Sequence, residues 1–497
     1  MSYVPVDVPA FGGLDLRDPE DASGSPDLLN VRFNKQSGVL DRRPGATLIG
    51  SLDHYYPTSM YNSEATGKLF VAGSSTNLSG SNIRAENYAG TSAAVTTSYG
   101  ALACPWSIVD GPSASGPATY FSNGTDYIVR YLSGTLTTLD NECSTKAAGA
   151  SSFSSYSRAA PKARALCVQS PDKRLVAAGT ATGGGPNGVT SYDTRVWFSQ
   201  PDDAEKWDET DYVDLGYDGQ KITAAVSWGN QVFVFKKTKM FVFYGNSTDA
   251  DGGTVFNYRT VDNAFPGNDT EIYQGQVCVA PDGLYVWTSQ GVFFTSGGPP
   301  RLVSDPIQRM FTSTVTDYSP STLGVASLGG GTGASLYHKG TLYWTGVGAS
   351  GGYWYTLTDG QWSRWTATGL GLVSNSNTLY TAGLTGIYSL SDSVTTVNGT
   401  AFSSYYVSPY SAFGSPGVEK TVRQTELHGS GTVDLSWGKD LQSHGYAKSV
   451  TMLNGRGLDR TAIRGESLSW KVSGTGAWSL NRVIPFLREQ RGIGVKT

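Results

Sequence analysis

The sequence lacks the marks of a membrane protein and of a nucleic-acid-binding protein. None of its apolar runs reaches the roughly 18 residues of a membrane-spanning helix, and no basic segment followed by an apolar run opens the chain. We therefore predict no transmembrane helix and no secretory signal, and we expect folding in a cytoplasm. Charged residues make up only 16% of the 497, and 37 Lys and Arg against 41 Asp and Glu leave a net charge of −4. This balance predicts no general attraction to nucleic acid or to an anionic membrane.

Cysteine and histidine are scarce, with four residues of each. The cysteines form no CxxC pair and are too few for a disulfide scaffold, so buried free thiols are expected, with one or two bridges left open: Cys104, Cys143, Cys167 and Cys278. The histidines lie far apart and show no metal-binding spacing: His54, His338, His428 and His444. We predict no metal site, and a structural or surface role for each histidine.

The common catalytic motifs are also missing. There is no GxSxG nucleophile elbow, and no Gly-rich stretch is followed by the Lys-Ser/Thr of a phosphate-binding loop. One acidic stretch, 202–211, surrounds Trp207, and paired acids beside a sugar-stacking aromatic ring would suit a glycosidase. The sialidase-type Ser-x-Asp-x-Gly-x-x-Trp repeat is absent, and a solvated loop is the competing interpretation. We predict no catalytic residue and no cofactor.

Short β-strand signals separated by turn residues are abundant instead, in a chain with 62 Gly and 39% hydrophobic residues. The clearest is QVFVFKKTKMFVFY at 231–244, where two apolar runs flank the four residues 236–239, which predicts two strands joined by a tight turn. Similar runs follow one another along the chain: 68–73, 126–132, 174–178, 195–199, 283–288, 291–295, 341–345, 352–357, 378–382 and 386–390.

These hairpins recur at intervals of roughly 40 to 60 residues, about the length of a propeller blade. We predict an all-β fold with a β-propeller of six or seven blades at 51–395, an extended N-terminal arm at 1–50 and a C-terminal β-module at 396–497. The arm is rich in turn signals and has too few apolar residues for a core of its own. One short helix is predicted at 305–312, with Asp305 as N-cap and Pro306 at the first helical position.

Aromatic residues form 12% of the chain, including 12 Trp and 28 Tyr. Most lie inside the strand runs, so we expect most of them to pack in the core. A carbohydrate platform or a protein interface is the alternative for the others.

Several motifs, taken in their order along the chain, resemble a known family. The arm reads FGGLDLRDP at 11–19, LLNVR at 28–32 and SGVLDRRPG at 37–45, an opening similar to that of many bacteriophage tail structural proteins. RVWFS at 195–199 with Trp207, FVFKK to FYG at 233–245 and DGLYVW to GVF at 282–293 follow. They resemble segments of the β-propeller tail-nozzle proteins of short-tailed phages, which include the packaged-DNA stabilisation and tail tubular B proteins. The resemblance spans about 11–311 and, more weakly, 423–482.

The resemblance implies a structural virion protein that forms a hexameric ring with copies of itself below the portal and the adaptor, or head-to-tail connector. In that family the ring forms the lower tail channel, retains packaged DNA and lets it pass at infection, next to tail fibres or spikes. It implies no catalytic residues, and a place in the virion tail after assembly in the bacterial host cytoplasm. The genomic duplex must pass without specific binding, and a near-neutral chain permits this because each neutralised phosphate would add affinity.

Two groups of basic residues are candidates for contacts in such a ring. The arm and the C-terminal module are the candidate platform that docks on the adaptor or on ring neighbours, and the arm contributes four arginines: Arg17, Arg32, Arg42 and Arg43. The 236–239 turn contributes three lysines that would grip or gate DNA: Lys236, Lys237 and Lys239. A solvated hairpin tip is the competing interpretation of this turn.

Two other functions stay open. A carbohydrate-active propeller, either a lectin or a glycoside hydrolase, would use Trp207 and the acids around it. A tail-tip or receptor-binding phage protein would share the arm motif, which occurs widely among phage tail proteins.

Overall fold

The structure is a computed structural model that describes residues 3–6, 11–16, 24–34, 37–52, 55–75, 80–86, 92–99, 102, 104–170, 172–180, 184–248, 254–311, 334–345, 351–357, 360–366, 371–383, 385–413, 416–445 and 447–489. Strands dominate these residues, and their helices are three short 3-10 segments: Pro186–Gly188, Gln274–Gln276 and Asp305–Met310. No helix among them is long and apolar enough to cross a membrane.

Seven sheets form the blades of a β-propeller, which confirms the predicted all-β fold and sets the number of blades at seven. Their four innermost strands are antiparallel, and the outer strands Ser144–Lys146 of blade 3 and Thr396–Val397 of blade 7 add parallel pairs. Their strands, from the centre outward, are as follows: blade 1, Tyr55–Ser63, Lys68–Ser75, Ser81–Glu86 and Ser92–Tyr99; blade 2, Ser107–Ser113, Gly116–Ser122, Val129–Leu132 and Thr135–Thr138; blade 3, Ala165–Gln169, Arg174–Ala178, Arg195–Gln200, Asp203–Asp214 and Ser144–Lys146; blade 4, Ala224–Trp228, Gln231–Phe235, Met240–Thr248 and Thr254–Val261.

The remaining blades follow in chain order except for one strand. Their strands are: blade 5, Val277–Ala280, Gly283–Thr288, Gly291–Thr295 and Arg301–Leu302; blade 6, Ser335–His338, Thr341–Thr345, Gly351–Thr356 and Gln361–Thr366; blade 7, Gly371–Asn375, Thr378–Gly383, Gly386–Ser391, Gly45–Ser51, Thr396–Val397 and Thr400–Ala401. The strand Gly45–Ser51 comes from the amino-terminal part of the chain and pairs with Gly386–Ser391, so the first and last parts of the propeller share one blade.

Hydrophobic side chains fill all seven interfaces between neighbouring blades. Six clusters of buried residues each join two adjacent blades, from Leu69 and Ile387 between blades 7 and 1 to Trp365 and Leu379 between blades 6 and 7. The seventh cluster joins blades 5 and 6 and also includes the core of the C-terminal part of the chain. The alternation of inward and outward side chains on pleated strands puts apolar residues on both faces of each blade. The core is therefore a closed ring, and the free energy of burial is distributed around it.

The eighth sheet combines both ends of the chain and is called the platform sheet below. Its strands are Val4–Pro5, Asp27–Leu29, Val31–Asn34, Val39–Arg42, Ser404–Val407, Lys420–Lys439, Lys448–Met452, Arg456–Asp459, Ile463–Gly465, Leu468–Gly474 and Trp478–Glu489. Its two edge strands, Asp27–Leu29 and Val31–Asn34, are joined by Asn30 alone. The sheet must therefore curl until its edges meet, and Leu28, Val31 and Trp470 lie in the core that it encloses.

Some sequence expectations differ from the structure. The predicted boundary at residue 50 moves to the 43–45 region, because 45–51 pairs with blade 7 while the strands up to Arg42 join the platform sheet. The C-terminal part of the platform begins at Ser404, since 396–401 still belongs to blade 7. The 231–244 hairpin and its four-residue turn are confirmed. The helix at 305–312 is a 3-10 helix, Asp305–Met310, with Ser304 rather than Asp305 at the N-cap position.

Closure of blade 7 generates a first prediction. A methyl group added at Gly386 would lie 2.3 Å from the carbonyl oxygen of Gly50 on the closing strand. We expect Gly386→Ala to lower the free energy of unfolding by about 1–3 kcal/mol, the usual effect of overpacking, in urea denaturation followed by tryptophan fluorescence. Gly298→Ala is the control, because its added Cβ meets no atom within 4 Å. Identical unfolding midpoints for the two variants would contradict the close packing of Gly45–Ser51 against Gly386–Ser391 in blade 7.

Candidate functional site

Asn30 joins the platform sheet to the outer strand of blade 6. It is 1% exposed and has a φ of 56°, a left-handed conformation that asparagine tolerates better than most residues. Its backbone N–H donates to the Arg364 carbonyl (2.8 Å), and its Nδ2 donates to Thr366 Oγ1 (3.0 Å) and the Ser403 carbonyl (2.7 Å). Its Oδ1 accepts from the Thr366 N–H and from Arg43 Nε, each at 2.8 Å. This one amide therefore connects three parts of the chain.

Arg42 and Arg43 are buried at the same joint, at 7% and 2% exposure. Both guanidinium groups stack on Phe402, at 4.3 and 4.0 Å from its ring centroid. Arg42 Nη1 donates to the carbonyls of Thr475 (3.3 Å) and Gly476 (3.1 Å). Burial, followed by the charge of Arg42, lowers the pKa of Arg43 to about 10. These two predicted docking residues therefore hold the chain together and do not present their charge to a partner.

The other two docking candidates differ from them. Arg32 lies on the edge strand Val31–Asn34 with 42% of its side chain exposed, and its Nη2 is 2.9 Å from Asp392 Oδ1. It lines a groove of about 620 Å³ together with His338, Lys339 and Tyr343. Arg17 lies outside the described residues. Of the four arginines, Arg32 is the one that the described structure leaves accessible.

The lysine turn at 236–239 is only partly exposed. Lys236 is buried, and its Nζ donates to Asp218 Oδ1 (2.8 Å) and to the backbone carbonyls of 215–216 (2.8 and 3.3 Å). Lys239 Nζ is 3.2 Å from Asp218 Oδ2, and the side chain of Lys237 is half-buried. Burial alone would raise the pKa of Asp218, but hydrogen bonds from the two lysines hold it below its usual value. Lys236 thus holds the loop between blades 3 and 4, and its charge is compensated inside the fold.

The acidic stretch at 202–211 is a strand and not a solvated loop, since Asp203–Asp214 is the fourth strand of blade 3. Its carboxylates meet cations from neighbouring strands: Arg130 lies 2.7 Å from Glu205, and Arg174 lies 3.5 Å from Asp211. Trp207 is fully buried between blades 2 and 3. Its ring is closed off from any ligand, so the feature on which the carbohydrate-active alternative rested is part of the core.

The sequence did not single out an exposed aromatic cluster on blade 3. Tyr192, Tyr212 and Tyr217 surround the ion pair of Arg195 and Asp214, whose Nε–Oδ1 and Nη2–Oδ2 distances are both 2.7 Å. Arg195 lies in the RVWFS motif, but the three tyrosines are dispersed over 26 positions of the sequence. The high tyrosine content was the only signal for them, and it does not locate a cluster.

The four cysteines are all buried and free. Burial raises the pKa of Cys104 and of Cys167 to about 12, and raises the pKa of Cys143 and Cys278 further. Since the thiolate is the reactive form, none of these thiols suits a nucleophilic role at neutral pH. Among the described residues, no group of three or more His, Cys, Asp and Glu side chains could hold a metal ion.

His444 is a structural histidine of the platform. Its Nε2 lies 3.0 Å from Ser469 Oγ, and its ring packs 6.3 Å from that of Tyr410. Burial, together with the charge of Lys471, lowers the pKa of His444 to about 4. His428 instead lies on the outer side of the platform sheet, with its Nε2 2.6 Å from Glu426 Oε1.

Comparison with known proteins identifies no family. No protein-family model matches the chain, and no curated protein matches it. Similar solved structures include a Lactobacillus plantarum protein, at 14% identity over 69% of this chain and 93% of that one, with a TM-score of 0.39. BBS1N in complex with ARL6DN shows 10% identity over 70% and 95% of the two chains, with a TM-score of 0.38. A Bacillus subtilis glycoside hydrolase family 43 arabinoxylan arabinofuranohydrolase shows 12% over 89% and 99%, with a TM-score of 0.26. These values carry no argument about function.

The joint at Asn30 generates the second prediction. Asn30→Ala removes the acceptor of Arg43 Nε and of the Thr366 N–H and puts an alanine at a φ of 56°. We expect it to lower the free energy of unfolding by about 3–5 kcal/mol, because buried donors are left unpaired and the backbone is strained. Urea denaturation measures this loss, and faster hydrogen exchange in Gln361–Thr366 would locate it.

Asn454→Ala is the matched control, since Asn454 has nearly the same φ, 52°, but lies on an exposed turn of the platform. This variant loses free energy of unfolding through the strained backbone alone, because no buried hydrogen bond is removed. If Asn30→Ala proved as stable as Asn454→Ala, the joint would not depend on this amide.

The pKa of His444 generates the third prediction. As the pH falls below about 6.5, the unfolded chain takes up a proton at this histidine, while the folded protein resists protonation until about pH 4. Stability that is present above pH 6.5 is therefore lost as the pH falls towards 4. We expect His444→Gln to make the urea midpoint less dependent on pH in this interval. An unchanged pH dependence would show that His444 is not held neutral.

Proposed function

We propose that this chain is a structural subunit of the tail nozzle of a short-tailed phage. Six copies would form a ring below the portal and adaptor that retains the packaged genome and lets it pass at infection. One observation supports this most strongly: the arm motifs that carry the family resemblance are the residues that build the joint between the platform sheet and the propeller.

Each arm motif has a physical purpose at this joint. The Phe11 ring packs against Tyr406 and Trp470, with centroids 5.5 and 5.9 Å apart. A Cβ at Gly13 would lie 2.9 Å from the Trp362 carbonyl, so only glycine lets the arm approach blade 6 this closely. Leu14 and Asn30 are buried at the same place. Because these motif residues have a structural role, their resemblance to the tail-nozzle proteins supports a shared architecture more strongly than a coincidental sequence match would.

A two-part subunit of this kind suits ring assembly. The platform extends from the rim of the propeller at blade 6, so one part can contact the adaptor while the other continues the tail. Neighbouring inner strands contact one another around the whole propeller, and its centre is enclosed by a single chain. A DNA duplex would therefore run along the axis of the oligomer and not through a propeller. In such a ring, unlike patches of successive subunits meet until the rotation closes.

We further propose that the subunit is not an enzyme. Two carboxylates of 202–211 that could have served as a catalytic pair are engaged: Glu205 with Arg130 of blade 2 and Asp211 with Arg174 of blade 3. The four thiols are buried and hold their protons at neutral pH.

Electron microscopy of the recombinant chain, mixed with the adaptor protein of the same tail, tests the proposal. We expect a six-fold ring in which the platform contacts the adaptor and the propellers surround an axial channel. Arg32→Glu should weaken adaptor binding about tenfold, since it reverses the accessible charge of the edge strand. Lys173→Glu, at an exposed hairpin turn of blade 3, is the control.

Ring formation and the effect of Arg32→Glu test two separate claims. Absence of any ring with the adaptor present would refute the nozzle. A six-fold ring with equal adaptor binding by both variants would keep the nozzle and remove Arg32 from its docking surface.

A further inference from the structure

Three tyrosines form an exposed cluster on one face of the propeller, next to the boundary between blades 3 and 4. Their exposed fractions are 39% for Tyr192, 38% for Tyr212 and 71% for Tyr217. Tyr192 lies in the turn before Arg195–Gln200, Tyr212 near the end of Asp203–Asp214, and Tyr217 in the loop that leads to blade 4. These are the only exposed large apolar side chains between residues 184 and 240, all of which the structure describes.

A buried ion pair holds the cluster in place. Arg195 is 6% exposed, and it binds Asp214 through two parallel hydrogen bonds and the Thr190 carbonyl through Nη1 (2.9 Å). Its guanidinium carbon lies 3.6 Å from the centroid of the Tyr212 ring and 5.1 Å from that of Tyr192. Two of the three rings are thus fixed from below by a group that cannot move without breaking the ion pair, so a ligand would meet a preorganised surface.

The two most exposed rings of the cluster are in contact with each other. The Tyr192 and Tyr217 rings meet edge to face, with centroids 5.4 Å apart and an interplanar angle of 87°. They form a right-angled notch in which one ring supplies a floor and the other a wall. Tyr217 Oη is 3.5 Å from Asp214 Oδ2, while the hydroxyls of Tyr192 and Tyr212 make no hydrogen bond to any residue that the structure describes. These two hydroxyls are available to a ligand.

The surroundings of the notch define the chemistry of that ligand. The exposed neighbours are acidic or small and polar, including Thr190, Asp193, Gly216 and Asp218, and no exposed aliphatic side chain lies among them. Each nearby carboxylate already faces a cation: Asp193 lies 3.8 Å from Arg164, Asp214 binds Arg195, and Asp218 binds Lys236 and Lys239. Because these charges compensate one another, the surroundings favour neither a cationic nor an anionic ligand. A protein hot spot usually adds aliphatic or larger aromatic anchors. Rings, free hydroxyls and carboxylate acceptors suit a neutral molecule with apolar C–H faces and many hydroxyl groups.

We propose that the Tyr192–Tyr212–Tyr217 cluster is a binding site for a neutral saccharide. A pyranose ring would stack on Tyr217 or Tyr192, and its hydroxyls would donate to Asp193 and Asp214 and accept from the tyrosine hydroxyls. The inference stands apart from the nozzle proposal, because it depends only on the geometry of blade 3. It also differs from the use of Trp207, which is buried.

Affinity electrophoresis of the full chain tests the site, with gels that contain dextran, mannan, galactomannan or xyloglucan. We expect at least one of these neutral polysaccharides to retard the protein. Tyr217→Ala should weaken that retardation about tenfold, because the most exposed stacking ring is lost. Tyr244→Ala is the matched control, since Tyr244 is 42% exposed on blade 4 and lies outside the cluster.

Thermal unfolding of both variants verifies that the fold is intact, which is expected for residues this exposed. Loss of retardation in Tyr217→Ala alone supports the saccharide site. Three outcomes overturn it. The first is no retardation by any of the four polysaccharides, and the second is equal retardation of Tyr217→Ala and the wild-type chain. The third is a Tyr217→Ala variant that binds polysaccharides as well as the wild-type chain does but no longer assembles with its own copies. The last outcome would assign the cluster to a subunit contact.

Discussion

A buried network of hydrogen bonds at Asn30 joins the platform sheet to the propeller. The residue joins the two edge strands of the platform sheet, and its side-chain amide binds Thr366 of blade 6 and Arg43 of the segment that leads into blade 7. Fifteen residues later the same segment supplies Gly45–Ser51, which completes the propeller. A single stretch of chain, 27–51, therefore supplies both edge strands of the platform sheet and the strand that closes the propeller. The arm is a structural part of each, and its removal would expose the cores of both.

Buried charge is a second common theme of the molecule. Arg43, Arg195 and Lys236 are all nearly inaccessible, and each is held by hydrogen bonds to carbonyls or carboxylates from a different part of the chain. Such groups would be costly to bury alone, and removing one partner leaves the other uncompensated. Arg43 ties the arm to the joint at blade 6, Arg195 joins two strands of blade 3, and Lys236 holds the loop between blades 3 and 4. Only 16% of the residues are charged, and several of these charges are buried in hydrogen bonds that join parts of the chain, so fewer remain for the surface.

The distance in sequence between contacting residues explains which features the sequence could predict. Strand runs such as Gln231–Phe235 and Met240–Thr248 are local, and their pattern predicted the hairpin and, by repetition, a propeller. The pairing of Gly45–Ser51 with Gly386–Ser391 joins residues more than 330 positions apart, and no local pattern encodes it. Lys236 appeared exposed because lysines cluster in the turn, but Asp218 from another loop covers it. The sequence placed Asn30 in the LLNVR motif but could not predict its role, since its partners come from positions near 364 and 403.

The positions of the two proposed contact surfaces follow from the order of the blades. The platform is joined to the outer strand of blade 6. The tyrosine cluster instead lies on blade 3 and on the loop that leads from blade 3 to blade 4. In a ring of seven blades these positions lie on different sides of the propeller. A subunit that is anchored through its platform would keep the tyrosine notch clear of that anchor, because the rigid core between the blades holds the two apart. Binding at the notch and assembly through the platform can therefore take place on the same subunit, without either surface having to move.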